Sequence, residues 1–126
     1  MTVYVDDMYL YPIGRFTRNG RQMRMSHMMA DTSEELLAMA DAIGVARQHI
    51  QHAGTPSEHF DISMQKRTLA VRAGAVQVTM REMSAYNHAR RRGEETTPVE
   101  AYKARQATIT SYAAVEFDRR YHTNEG

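Results

Sequence analysis

The sequence predicts a small α/β domain over residues 1–92, with a mixed, partly parallel sheet flanked by helices, and a C-terminal helical extension over 93–126. Three observations carry this prediction. Short alternating apolar runs recur along the first two thirds of the chain. The segments between them show helical apolar spacing and open on capping sequences. Strands alternating with helices imply crossovers, which are how parallel neighbours are joined. The 126 residues, 42% hydrophobic and 25% charged, suffice for one core and leave little room for a second.

Residues 2–5 alternate around Val3, Tyr4 and Val5 and stop at Asp6-Asp7, giving a first strand. Residues 9–20 hold Pro12, Gly14, Asn19 and Gly20, and Arg15, Arg18, Arg21 and Arg24 lie in or near them, so a polar, basic loop is predicted. Residues 23–30 predict a central strand with Met23, Met25, His27 and Met29 on its core-facing side, ending on Asp31. Thr32-Ser33-Glu34-Glu35 reads as a capping box. Leu36, Leu37, Met39, Ala40 and Ile43 form the stripe of the helix that follows, and Gly44 is placed to stop it in a left-handed conformation.

Residues 45–50 predict a short third strand presenting Arg47 and His49 on one side, and Gly54 and Pro56 mark a turn. His59-Phe60-Asp61-Ile62 reads as extended, after which Ser63 caps a second helix running to Gly74. Residues 75–79 give a further strand, overlapping a second capping box, Thr79-Met80-Arg81-Glu82, whose helix carries Met83 and Tyr86 and closes at Gly93. Thr97-Pro98-Val99-Glu100 combines a cap, a proline at the first helical position and a returning glutamate. The last helix is expected to reach about Tyr121 with a thin stripe of Val99, Tyr102, Ile109, Tyr112, Ala113 and Phe117. So narrow a stripe packs on a neighbour: either a homodimer's partner helix or the chain's own domain.

Composition removes several function classes. With no cysteine there is no disulfide framework, thiolate zinc site or cysteine nucleophile, as expected of a cytoplasmic protein. No apolar run approaches the ~20 residues of a membrane span. Sixteen Lys and Arg against fifteen Asp and Glu leave a net charge of +1, so nucleic-acid contact would have to be local, for instance through the basic 15–24 loop. Phosphate-cradling loops, dinucleotide fingerprints, nucleophile elbows and helical His pairs are all missing. Ten methionines and no tryptophan give an adaptable core or a Met-lined recognition face.

Candidate chemistry sits at the strand ends, where open α/β sheets bind ligands. Asp6, directly after an apolar strand, needs a hydrogen-bonded or ionic partner. Asp31 serves either as helix-terminal acid or as site residue. If the first two strands run the same way, Asp6, Asp7 and Asp31 approach one edge and repel one another unless a cation, a protonated partner or arginines intervene. His27 is either a satisfied core group or a ligand or base. His59 and Asp61, two apart on an extended piece, point the same way and pair as base and carboxylate. Arg47, Lys66 and Arg67 supply cations, the latter two near a helix N-terminus where an anion is favoured.

Val3-Tyr4-Val5-Asp6-Asp7, Gly14-Arg15, the run from Ser26 to Thr32, Glu35-Leu36, Ile43-Gly44, Arg47, His59-Phe60-Asp61-Ile62, Lys66-Arg67, Ala73-Gly74-Ala75-Val76 and Arg81-Glu82 recur in order. On these residues the chain resembles a family of small phage and bacterial proteins, domain of unknown function 4031, over roughly its first 85 residues. Phe60 stands where that family usually has tyrosine and Met25 where it has tryptophan or cysteine. The resemblance brings no settled activity, but it singles out Asp6, His27, Asp31, Arg47, His59 and Asp61 as a polar set.

Two functional readings follow, with a third beside them. The first is a ligand-binding protein of the cytoplasm, the host's if phage-encoded, with a pocket for a small phosphorylated or nucleotide-like molecule such as a host signal. Arg47, Lys66 and Arg67 would hold its anion while Asp6, His27, Asp31, His59 and Asp61 complete the wall. The second is a metal-assisted hydrolase in which Asp6, Asp31 and Asp61 hold a hard divalent cation through oxygen and His27 or His59 moves a proton. The third is a protein interaction module built on the Met-rich face and the last helix.

Overall fold

The computed structural model describes residues 2–122, the side chains at 114 and beyond 115 excepted. Strand β1 (Val3–Val5) leads through two short 3-10 turns into the hairpin of β2 (Arg15–Arg18) and β3 (Arg21–Ala30). Helix α1 (Ser33–Ile43), a 3-10 turn at Arg47–His49, β4 (Phe60–Ser63), α2 (Met64–Arg72), β5 (Val76–Gln77), α3 (Met80–Arg91) and α4 (Pro98–His122) complete the order.

The sheet is mixed. β3 pairs antiparallel with β1, β2 and β4, while β1 and β5 are parallel. Met28 faces both Val5 and Phe60, so β1 and β4 flank β3 on opposite edges. Helices cover both faces, making three layers. Val3, Val5, Met28, Phe60 and Ile62 pack with Leu36 and Ala40 of α1 and Ala70 of α2. On the other face Tyr4 and Met29 meet Met83 and Tyr86 of α3. The last three residues of β3, Met28, Met29 and Ala30, are therefore apolar on both sides.

The caps form where the sequence puts them. Thr32 Oγ1 accepts from the Glu35 amide at 3.2 Å, and Ser63 Oγ from that of Lys66 at 3.3 Å. Thr79 and Glu82 close a full reciprocal box, and Asp7 adds a 2.7 Å acceptor for the Met80 amide. Gly44 ends α1 at φ 79°.

Two expectations are corrected. The predicted basic loop contains β2: Asn19 (φ 52°) and Gly20 (φ 76°) supply the left-handed turn that a two-residue hairpin requires. Residues 45–50 form no strand. Val45 and Ile50 pack on the core while His49 and Ile50 donate to carbonyls three residues back, so the chain curls into a 3-10 turn. Only Gln51 bridges to His59.

Helix α4 packs on α3 through Ala101 and Tyr102 against Ala85 and Ala89. Of its predicted stripe, Val99, Ile109, Tyr112 and Ala113 are exposed, and the Phe117 and Tyr121 side chains lie outside those described. No helix among the described residues is long and apolar enough to cross a membrane.

Candidate metal centre

The sheet register assembles the site. His27 and Asp61 are direct cross-strand partners on β3 and β4. On the other edge of β3, the Asp6 amide donates to the His27 carbonyl at 3.1 Å. Asp6, His27 and Asp61 thus form a row across three neighbouring strands, and His59, two residues before Asp61, joins on the same face.

Asp6 is fully buried. Its carboxylate accepts from the Met8 amide (3.1 Å), the His27 amide (2.9 Å) and His27 Nδ1 (2.7 Å). With both carboxylate oxygens accepting, His27 Nδ1 is the donor in the 2.7 Å contact and carries the ring proton. His59 Nδ1 lies 2.8 Å from the Ser57 carbonyl, which can only accept, so this ring too carries its proton on Nδ1. Both Nε2 lone pairs are consequently free, and both face Asp61 Oδ1, at 3.8 Å from His27 and 3.6 Å from His59. Asp61 Oδ2 accepts from Gln51 Nε2 at 2.7 Å, whereas Oδ1 is buried with no hydrogen-bond partner.

Three acceptors therefore converge, each within 4.8 Å of the others, with no donor among them. Such a cluster repels itself unless a positive species sits in it, and a proton or a metal ion would serve. The proton's share is visible at His27. Burial opposes its charged form, but the Asp6 hydrogen bond and the charges of Asp6 and Asp61 outweigh that and raise its pKa above the ordinary 6.5.

The donor set is that of a first-row transition metal. Two imidazoles and one carboxylate match the three-ligand sets of catalytic zinc and of non-haem iron, leaving positions open. Each imidazole is oriented through its other nitrogen, by a carboxylate at His27 and a carbonyl at His59, as metal-ligating histidines generally are.

His27 and His59 line a cavity of about 240 Å³ between the sheet and α3. Met29, Met80 and Met83 form an apolar part of its wall; Asn87 and Arg91, further along α3, and Ser57 form a polar part. His52 lines it too, its ring stacked on His59 with centroids 5.8 Å apart. The His52 backbone is left-handed (φ 54°), a conformation that costs a non-glycine residue about 1 kcal/mol or more.

Of the residues singled out in the sequence, Asp6, His27, His59 and Asp61 come together here and the others do not. Asp31 lies at the opposite end of β1 from Asp6, beside Thr2, because β1 and β3 are antiparallel. There its carboxylate accepts from the Thr2 amide (2.8 Å) and the hydroxyls of Tyr4 (3.1 Å) and Tyr86 (2.6 Å). Burial first, and these bonds second, keep both phenols neutral, with Tyr4 pushed up to about 12 and Tyr86 higher still. The expected cation site of Asp6, Asp31 and Asp61 is therefore not formed.

The expected anion-binding cations are also turned elsewhere. Arg47 pairs with Asp41 on the surface, with N–O distances of 3.0 and 2.7 Å. Lys66 Nζ lies against Gly44, where the carboxyl end of α1 favours positive charge. Arg67 is buried, donating to the Asp6 carbonyl at 2.9 Å and to Gln77 at 3.2 Å and stacking over Tyr9, so it braces the site from behind.

Sequence reasoning missed His52, Ser57, Asn87 and Arg91. For the α3 residues a signal existed: Met80, Met83, Asn87 and Arg91 recur at helical spacing on one face. No curated protein and no solved structure matches the chain. The sequence model described as Protein of unknown function (DUF4031) matches residues 3–90, a span that holds all four residues of the centre, and the chain belongs to that family.

Proposed function

We propose that the protein is a metal-assisted hydrolase whose ion, of the Zn²⁺ type, is held by His27, His59 and Asp61. The observation that carries this reading is the convergence of two imidazole lone pairs on a buried, unpartnered Asp61 oxygen. It differs from a hard, all-oxygen site in its imidazole donors, which suit zinc, iron, nickel or copper rather than magnesium. A ligand-binding pocket built on Arg47, Lys66 and Arg67 finds no support in where those side chains lie.

Held by His27, His59 and Asp61, such an ion would supply a water acidified toward neutral pH. The protein's own contributions are positional. Asp6 fixes the His27 ring and raises its basicity, and the Ser57 carbonyl fixes the His59 ring. His52 has no hydrogen-bond partner for its ring among the described residues and lines the cavity, so it would receive a proton from the ion's water and return it to the leaving group.

The test is a Co²⁺ and Zn²⁺ titration of the whole chain followed by assay on chromogenic phosphate and carboxylate esters. One ion per chain, a cobalt visible spectrum of low coordination number and metal-dependent hydrolysis are expected. Absence of stoichiometric cobalt binding ends the metal reading; binding without turnover on any ester ends the hydrolase reading.

A further inference from the structure

The polar end of the cavity has a direction. Arg91 Nε donates to Ser57 Oγ at 3.0 Å, and the Ser57 hydroxyl, its lone pair so engaged, donates to Asn87 Oδ1 at 2.9 Å. At this end the Ser57 and Asn87 oxygens are both engaged from within the chain. What remains uncommitted is donors: the two terminal nitrogens of the Arg91 guanidinium and the Asn87 amide nitrogen. The wall next to them is methionine.

We infer that Arg91, Asn87 and Ser57 form an oxyanion subsite, and that the substrate is a phosphate ester whose organic part is flat and apolar. Three observations converge on this. A cluster of donors whose own oxygens are already engaged recognises oxygen anions and disfavours groups that must donate. Three nitrogen centres suit the three terminal oxygens of a phosphoryl group better than the two of a carboxylate. The apolar surface of Met29, Met80 and Met83 receives the remainder, since thioethers pack favourably on aromatic rings.

Electrostatics agree. A divalent ion together with Arg91 outweighs Asp6 and Asp61 by one positive charge, so the loaded cavity favours an anion. The ester group is thereby placed between two cationic poles, the metal and the guanidinium. The inference rests on the metal reading for its chemistry. The donor wall itself is made by protein groups alone.

The experiment compares two probes that share a ring, phenylphosphonate and benzoate. Binding to the whole chain is measured by calorimetry and thermal shift, with and without Co²⁺, whose visible absorption reports metal occupancy separately. Phenylphosphonate is expected to bind cobalt-loaded protein at least tenfold more tightly than benzoate, to bind metal-free protein measurably, and to perturb the cobalt spectrum. Arg91→Gln should weaken it roughly tenfold or more while leaving the cobalt spectrum of the free protein unchanged. Asn87→Asp, which replaces donors by a negative charge, should weaken it similarly. Equal affinity of wild type and Arg91→Gln overturns the subsite, and so does failure of phenylphosphonate to bind in either metal state. Benzoate binding as tightly as phenylphosphonate overturns the phosphoryl assignment. A missing cobalt spectrum would instead overturn the metal centre, leaving the metal-free arm to judge the subsite.

Discussion

The two ends of the β1–β3 pairing each lie beside a carboxylate facing α3, Asp31 at one and Asp61 at the other, and these have opposite characters. At one end Asp31 has its oxygens occupied by an amide and two tyrosine hydroxyls. At the other, Asp61 keeps one buried oxygen with no donor at all, facing two nitrogen lone pairs. The first arrangement is complete and holds the sheet to the helix layer. The second lacks an internal donor, and the proposed ion would supply the missing positive charge. What separates a carboxylate that stabilises from one that acts is whether the protein supplies its donors, and residue type alone does not reveal that.

The largest effects should come from exchanging these characters. Replacing a ligand, as in Asp61→Asn or His59→Ala, should reduce Co²⁺ affinity by at least ~100-fold, because one of three protein ligands is lost. Asp61→Asn should leave the metal-free Tm unchanged or higher, since the carboxamide gives the two imidazoles a donor. Asp31→Ala should behave the other way. It leaves two buried phenols and the Thr2 amide unpaired, costing about 2–3 kcal/mol in urea unfolding while cobalt affinity holds. Loss of metal binding in Asp31→Ala at a temperature where it is folded would erase the distinction between the ends.

Next in size is Asp6→Asn. It removes the charge that orients His27, and cobalt affinity should fall 10–100-fold. The His27 pKa should drop with it, which NMR titration of the ring would read.

The same proton sets a pH dependence with opposite signs in the two states. His27 has a folded pKa above its ordinary value, so its contribution to metal-free stability is full below about 6.5 and is lost as pH rises through the raised pKa. Metal requires the deprotonated ring, so cobalt affinity should rise through that same window and level off above it. Thermal melts across pH 5.5–8.5 with and without cobalt should therefore converge at the acid end and diverge at the basic end, as an order-of-magnitude expectation.

The smallest effect on folding is expected at His52. Asn adopts the left-handed backbone more readily, so His52→Asn should gain a few tenths of a kcal/mol while metal-dependent hydrolysis falls about 100-fold or more. A variant as active as wild type would remove His52 from the proton path.

Much of this was readable before the coordinates. Thr32, Ser63, Thr79 and Gly44 announce their helix ends because capping is local chemistry, complete within four residues. The facing of His59 with Asp61 needs only the two-residue period of a strand. Strand direction was not readable. Whether Asp31 joins Asp6 depends on β3 running against β1, which the Asn19-Gly20 hairpin and its long-range pairing decide. Residues 45–50 misled for the same reason. Their apolar ends suit a strand, but no neighbour offers them a ladder, and backbone without a partner curls on itself. Arg91 stands in the last turn of α3, where positive charge is favourable for its own sake. Its role depends on Ser57, 34 residues away in the chain, reaching its guanidinium.

The direct opposition of His27 and Asp61 has a practical consequence for handling the protein. A slip of β4 by one residue against β3 would send His59 and Asp61 to the α1 and α2 side of the sheet, dismantling the ligand set in a single move. Cobalt colour would then be a quality check on refolded or mutated preparations. A sample with correct helicity but a shifted ladder would stay colourless, and the metal would select, from a mixture of pairings, the one chain arrangement able to hold it.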